Sequence, residues 1–334
     1  MDHQRQALRI GAAAIAFAVL LRLFAFTFSA ARDIFQETEW LSLAVFLQTG
    51  RVVRYPKTEQ SVPELPQPTQ PVQPTQPQSP AVLPTFSEED LLNVGLINDS
   101  GYKLDLTPLI TQALSWDLTE GEPAVLILHT HATEAYTPSG EDQYESSGDY
   151  RTLDTYYNMV SVGEEVARVL EEGGVSVIHD KTLHDYPSYN GSYGNARQTI
   201  AEYLEKYPSI RMVLDIHRDA AAMSSGGQLN TSATVGGQPS AQIMVVIGTD
   251  ATGNYHPNWR ENLALALKLT AQLEREDPGI TRPIHLRPER FNMDMTLGSL
   301  LVEVGAAGDT HAEAMLAANA LARAVLVLAK GTSQ

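Results

Sequence analysis

Three stretches of this 334-residue chain place imidazoles or carboxylates where they could act on a substrate. An apolar run, Ala124–Leu128, leads directly into His129-Thr130-His131-Ala132-Thr133-Glu134. A second, Met212–Ile216, leads into His217-Arg218-Asp219, and a third, LLVEVG, carries Glu303 inside an otherwise apolar segment. His-x-x-Glu can present an imidazole and a carboxylate to one metal when a second imidazole arrives from elsewhere, and His131, Glu134 and His217 fit that pattern. Three protein ligands leave a position for water, which a catalytic zinc ion needs in order to bring the water's pKa down to about 7. Glu303 is then the candidate general base, taking a proton and returning it to a leaving nitrogen. An acid within an apolar strand is costly to bury unless a cation or metal stands beside it, which favours a functional reading of Glu303.

His-x-x-Glu also arises by chance, and a lone histidine after a strand is more often hydrogen-bonded within its loop. What raises the motif is its place at a strand end, with a second histidine and an isolated acid at two others. Alternation along an extended chain puts His129 and His131 on one side; His131, nearer the exit, is the preferred ligand and His129 the reserve. Asp154, which follows a Gly/Ser/Tyr-rich loop at Tyr144–Tyr150, is either a helix cap or the third ligand in place of Glu134. Asp215 could orient a ligand, and Arg218 and Asp219 could simply pair with one another. Arg287, Arg290, Asn292 and Asp294 either line a substrate groove or form a solvated loop. A turn role suffices for His256, while His179, His184, His285 and His311 have no partner pattern. Serine-nucleophile and phosphate-loop chemistry find no support, because no G-x-S-x-G follows a strand and no glycine-rich turn joins a strand to a helix.

The elements that must position these residues follow from periodicity. Apolar runs at Ala124–Leu128, Val175–Ile178, Met212–Ile216, Ile243–Ile247 and Leu300–Val304 read as strands. Between them, amphipathic patterns predict helices at about Tyr156–Glu172, Asn195–Lys206, Asn258–Glu276 and Thr310–Ala329, with Gly173-Gly174 as a helix stop. Strands separated by helices predict an α/β domain over residues 86–334, with a mostly parallel sheet covered by helices on both faces.

Ahead of that domain, Arg5 and Arg9 precede an apolar stretch running to Phe28 with Arg22 in its midst, which predicts a membrane anchor over residues 1–32 with the remainder of the chain outside the cell. Residues 33–85 hold a short amphipathic segment around Trp40 and then a Pro/Gln/Thr-rich spacer, which at ~3.1 Å per residue reaches tens of ångströms. Basic residues number 23 against 40 acidic, a net charge of −17 that makes nucleic acid a poor partner. There is no cysteine, so any metal must be held by His, Asp or Glu.

Several separated segments, VLILHTHATEAY, RTLDTYYNMVSVGEEVARVLEEGGVSVIHDKT, MVLDIHRDA, HPNWRENLALALKL and FNMDMTLGSLLVEVGAAGDTHAEA, together resemble the stage II sporulation protein P family, relatives of the zinc-dependent N-acetylmuramoyl-L-alanine amidases. The resemblance implies an amidase-like fold and a peptidoglycan substrate, cut between the lactyl group of N-acetylmuramic acid and the L-alanine of the stem peptide. It implies a role in septal wall thinning and engulfment during sporulation, in a complex with a lytic transglycosylase-like sporulation protein and a membrane protein. On the amidase pattern, His131 and His217 correspond to zinc ligands and Glu303 to the catalytic acid of a V-E-V-G strand. That pattern places the acidic ligand near Asp154, whereas Glu134 has the short spacing of zinc carboxypeptidases; Glu134 is the choice. The alternatives are a zinc carboxypeptidase acting on the stem peptide and a non-catalytic scaffold for wall enzymes.

Overall fold

The computed structural model describes residues 83–330, apart from 117, 119–122, 141, 146, 148 and 222–226. The expected membrane anchor, and the spacer up to residue 82, lie outside the described residues.

Nine strands and five α-helices follow one another among the described residues: β1 (Leu96–Asn98), α1 (Thr107–Thr111), β2 (Val125–Leu128), α2 (Met159–Glu172), β3 (Val177–His179), α3 (Ser192–Lys206), β4 (Met212–Asp219), β5 (Ala233–Val235), β6 (Gln238–Ser240), β7 (Ile243–Ile247), α4 (Trp259–Glu276), β8 (Ile284–Leu286), β9 (Gly298–Ala306) and α5 (His311–Lys330). Seven strands make one sheet in the order β1-β8-β7-β9-β4-β2-β3, while β5 and β6 form a separate hairpin. Neighbours in the large sheet run parallel except β7 and β9. The expectation of a mostly parallel α/β sheet holds. Its strands β2, β4 and β9 therefore end at one edge, the edge that bears the residues of interest.

Alternation along β2 separates two cores. Val125 and Ile127 join the large core, which takes in α2, α4 and α5. Leu126 and Leu128 face the other way into a smaller core with Ala196 and Ile200 of α3 and Val213 of β4. Helices thus cover both faces, but α3 alone covers the second, and the odd-numbered side chains of β4 beyond Val213 emerge past its cover. Helix α5 is long and apolar enough to cross a membrane, yet half of its apolar window is buried inside the domain. Ala314, Ala317, Ala318, Leu321 and Val325 of that helix belong to the large core, so it is a core helix here.

The sequence boundaries shift at the helix starts. Helix α2 begins at Met159 because Asn158 caps it, its side-chain oxygen accepting from the Val160 N–H at 3.0 Å. Asp154 is exposed and only caps a turn at Tyr156, so the sequence expectation of an Asp154 cap is corrected to Asn158. The predicted stop is observed: Gly174 takes φ +75°, which a side chain would strain, and Val175 N–H returns to the Leu170 carbonyl at 2.9 Å. Asn158→Ala is expected to lower the unfolding free energy by about 1–2 kcal/mol, and Asp154→Ala by less than about 0.5 kcal/mol. Urea titration of the two variants checks the order.

Candidate functional site

Strand β2 stops at Leu128, and the chain turns through Thr130–Thr133, with Glu134 N–H closing on the His131 carbonyl at 3.1 Å. Alternation therefore does not continue to residue 131, and the two histidines part company. His129 goes under α2, its Nδ1 2.9 Å from the Ile216 carbonyl and its Nε2 2.9 Å from Nε2 of His179. His179 in turn reaches Glu164 at 3.0 Å. Gly163 makes this possible, since a Cβ there would sit 2.5 Å from His129 Nε2. Both ring nitrogens of His129 are thus engaged, which removes the reserve candidate and corrects the expectation that the two rings share a side.

His131 instead meets His217, ring against ring at right angles with centroids 5.3 Å apart. His217 stands on β4 directly opposite Glu303 of β9 in the parallel register. Glu134 comes from the turn, its Oε2 3.6 Å from His217 Nδ1. The structure thus gathers His131, Glu134, His217 and Glu303 at one sheet edge, the first three buried and Glu303 half-buried with its Oε2 shielded from solvent. Asp154 is not among them.

The charges are arranged around His217. Asp215 Oδ1 lies 2.9 Å from its Nε2, and the Asp215 carboxylate is fixed by the Thr130 N–H at 2.7 Å and hydroxyl at 2.6 Å. Burial opposes the imidazolium, but Asp215 and Glu134 on its two sides outweigh that and raise His217 well above the usual histidine range. Burial also opposes the charges of Glu134 and Asp215; His217 and its neighbours nonetheless hold both carboxyls at about 2. His131, lowered to about 4 by burial and then by His217, carries a free lone pair at neutral pH. For Glu303, burial dominates, the nearby Glu134 and Asp219 add to it, and the carboxyl is pushed up to about 8.

Two arginines that the sequence reading did not assign to the site support Glu134. Arg151 reaches Glu134 Oε1 at 3.1 Å and Asp185 Oδ2 at 2.9 Å. Buried Arg218 gives its backbone N–H to Glu134 Oε2 at 3.3 Å and its guanidinium to the carbonyls of Ala135 and Asp149, both at 2.8 Å. Arg218 does not pair with Asp219, which holds Arg282 at 2.7 Å. Asp294 is clamped by Arg197 at 2.7 and 2.8 Å and Asn292 bonds the Tyr193 carbonyl, so this stretch braces α3. No periodicity signals Arg151 or Asp185; they lie in loops and come together only through the fold.

Among the described residues, no group of three His, Asp or Glu side chains is spaced as a ready-made cage for a metal ion. The donor chemistry nevertheless fits one in part. His131 Nδ1 and Glu303 Oε2 are buried without a hydrogen-bond partner among the described residues, while His217 stands between Asp215, 2.9 Å from its Nε2, and Glu134, 3.6 Å from its Nδ1. Such orphaned atoms are costly unless something else satisfies them. Glu134 fits less well, since both its oxygens already face guanidinium or backbone donors.

Because the folded protein favours the neutral Glu303 carboxyl, its stability contribution is complete below the ordinary value of 4.5 and is lost as pH rises through about 8. In metal-free protein, Glu303→Gln should therefore gain stability relative to the parent between pH 5 and pH 9, by up to about 4 kcal/mol. Denaturant titrations across that range test this, and a pH-independent difference refutes it.

Residues 53–326 match the family described as Stage II sporulation protein P (SpoIIP). The curated Stage II sporulation protein P of Bacillus subtilis (strain 168) is 28% identical over 219 residues, covering 61% of this chain and 50% of that protein. The chain thus spans about half the length of that relative. Among solved structures, the N-acetylmuramoyl-L-alanine amidase AmiC2 of Nostoc punctiforme is similar at 16% identity and a TM-score of 0.37, over 62% of this chain and 97% of its own. The CwlD amidase from Clostridioides difficile, solved in complex with the GerS lipoprotein, is similar at 14% identity and a TM-score of 0.35, over 61% of this chain and 95% of its own. By the family match, which runs through most of its length, the chain belongs to the stage II sporulation protein P family.

Proposed function

We propose that this protein is a zinc-dependent peptidoglycan hydrolase of sporulation, an N-acetylmuramoyl-L-alanine amidase held at the outer face of the cell membrane. The observation that carries the reading is the convergence of His131, His217 and Glu303 from three distant stretches on one sheet edge, with His131 Nδ1 and Glu303 Oε2 buried and unpartnered among the described residues. His131 and His217 would hold the ion, with Glu134 as the third ligand once it exchanges its guanidinium partners for the metal. Zinc bound there would polarise the scissile carbonyl and lower the pKa of a water.

The chain's own groups then manage the protons. Glu303 takes one proton from the attacking water and delivers it to the amide nitrogen as the C–N bond breaks. The products are the lactyl carboxylate on the sugar and the free amine of L-alanine. Asp215, fixed by Thr130, orients the His217 ring, and Arg151 and Arg218 hold the turn that carries Glu134. Family membership supports a role in sporulation. On this reading residues 1–32 anchor the chain, residues 33–85 space it from the bilayer, and residues 86–334 form the catalytic domain. The family resemblance supports assembly with a lytic transglycosylase-like sporulation protein and a membrane protein, and the acidic surface suits partner-guided approach rather than attraction to acidic wall polymers.

His131→Ala and His217→Ala are each expected to abolish stoichiometric zinc uptake, measured by elemental analysis of the purified full chain; full zinc content in both overturns the ligand assignment. Glu303→Gln should keep zinc and lose turnover by at least about 100-fold. Mass spectrometry of digested sacculi reads this directly: intact stem peptides with a free L-alanine amino group are the expected product, and their absence with the parent enzyme leaves the amidase reading without support.

A further inference from the structure

The loop between β3 and α3 stands directly over His131. Its root is fixed by buried side chains: His184 Nδ1 lies 2.9 Å from the His129 carbonyl and its Nε2 3.0 Å from Thr199 Oγ1. Asp185 takes the Thr133 hydroxyl at 2.6 Å and Arg151 at 2.9 Å. Beyond this root, Tyr186 through Gly191 are all exposed. Tyr189 lies face to face on the His131 ring, with centroids 4.5 Å apart and planes within 7°, and Tyr193 closes edge-on at 5.5 Å. Even so, Tyr189 keeps 55% of its surface in solvent and Tyr186 keeps 56%. Two exposed tyrosines three residues apart thus sit on an anchored hoop at the mouth of the candidate centre.

The residue types say what such a hoop can hold. From Tyr186 to Ala196 there is no charged side chain, but three tyrosines, two serines and two asparagines. Arg151 stands over the Tyr189 ring, its guanidinium carbon 4.9 Å from the centroid, but is already engaged by Glu134, Asp149 and Asp185, so the hoop offers no free cation to a phosphate or a carboxylate. The set matches a neutral ring with an apolar C–H face for the tyrosine to cover and hydroxyl or acetamido groups for the serine and asparagine side chains. Aromatic rings with a polar tip are well suited to such half-wet contacts.

We propose that Tyr189, assisted by Tyr186, is the saccharide platform of this site and selects substrates that carry the glycan over free peptides. The proposal rests on the hydrolase reading above for the identity of the sugar, N-acetylmuramic acid in a glycan strand. Stacking over His131 places the ring that bears the lactyl group beside the centre, so the same contact that selects the sugar sets the amide's approach.

Calorimetric titration of the full chain in nanodiscs, carrying Glu303→Gln so that ligand is not consumed, tests this with two probes. One is N-acetylglucosaminyl-N-acetylmuramyl-L-alanyl-D-isoglutamine, and the other is D-lactyl-L-alanyl-D-isoglutamine without sugar. The sugar-bearing probe should bind at least about tenfold tighter. Tyr189→Ala should collapse that ratio to near one, whereas Tyr189→Phe, which keeps the stacking face, should retain most of it. No preference in the parent, or an unchanged ratio in Tyr189→Ala, overturns the platform, as does a ratio lost equally in Tyr189→Phe. Failure of the parent enzyme to release stem peptides while the sugar preference persists would instead count against the amidase chemistry alone.

Discussion

The parallel register of β4 with β9 sets His217 beside Glu303 in the middle of a sheet that is buried on both faces. Much of the site follows from that juxtaposition. Neither group is stable there alone: an imidazolium loses its hydration and a carboxylate loses more. The protein resolves the pair asymmetrically, keeping charge on His217 by placing Asp215 and Glu134 on its two sides and leaving Glu303 neutral by burial. Those two acids then need donors of their own, and the Thr130 turn, Arg151 and Arg218 supply them. Each step outward moves the desolvation burden toward solvent, until Arg151 is partly exposed.

The sheet's change of direction at β7 belongs to the same solution. β7 runs against β9 and sets Met244 opposite Glu303, so the carboxyl has an imidazole on one flank and an apolar neighbour on the other. Being antiparallel, β7 brings its entry to the edge of the candidate site, where the Gln242 carbonyl accepts from the Gly305 N–H at 2.8 Å, and sends its exit, at Gly248, to the far edge. On the open face, α3 covers β2 and stops short of the site, which leaves room for the hoop that carries Tyr189.

Legibility followed the range of the interactions. The strands β2, β4, β7 and β9 and helices α2 to α5 could be read from the chain because each buries a continuous or periodic apolar pattern. The three-residue strands β1 and β8 and the β5–β6 hairpin escaped, since their pairing depends on neighbours far away in sequence. His131, His217 and Glu303 were legible as strand-end or strand-embedded polar residues. The division of labour between His129 and His131 was not, because it turns on where β2 ends and on a missing Cβ at Gly163. Arg151 and Asp185 come from loops whose meeting point no local pattern encodes.

Counting the charges that meet around His217 connects the protein's resting state with the proposed metal state. In the described structure, the carboxylates of Glu134, Asp215 and Asp185 face three cations: the His217 imidazolium and the guanidinium groups of Arg151 and Arg218. Glu303, raised to about 8, adds little near neutrality, so the buried charges of the pocket balance, with the exposed Asp149 carboxylate on Arg151 left to solvent. A dication entering this pocket would disturb that balance unless protons left. The two groups holding protons that can leave are His217 and Glu303. With both released, four carboxylates face two guanidinium groups and one divalent ion, and the pocket is balanced again. A low-dielectric site cannot tolerate uncompensated charge in either state. On the proposed reading, an acid raised by burial beside an imidazolium would be a means of being neutral twice, and the proton that Glu303 would give up to admit an ion would leave it as the carboxylate that a general base must be.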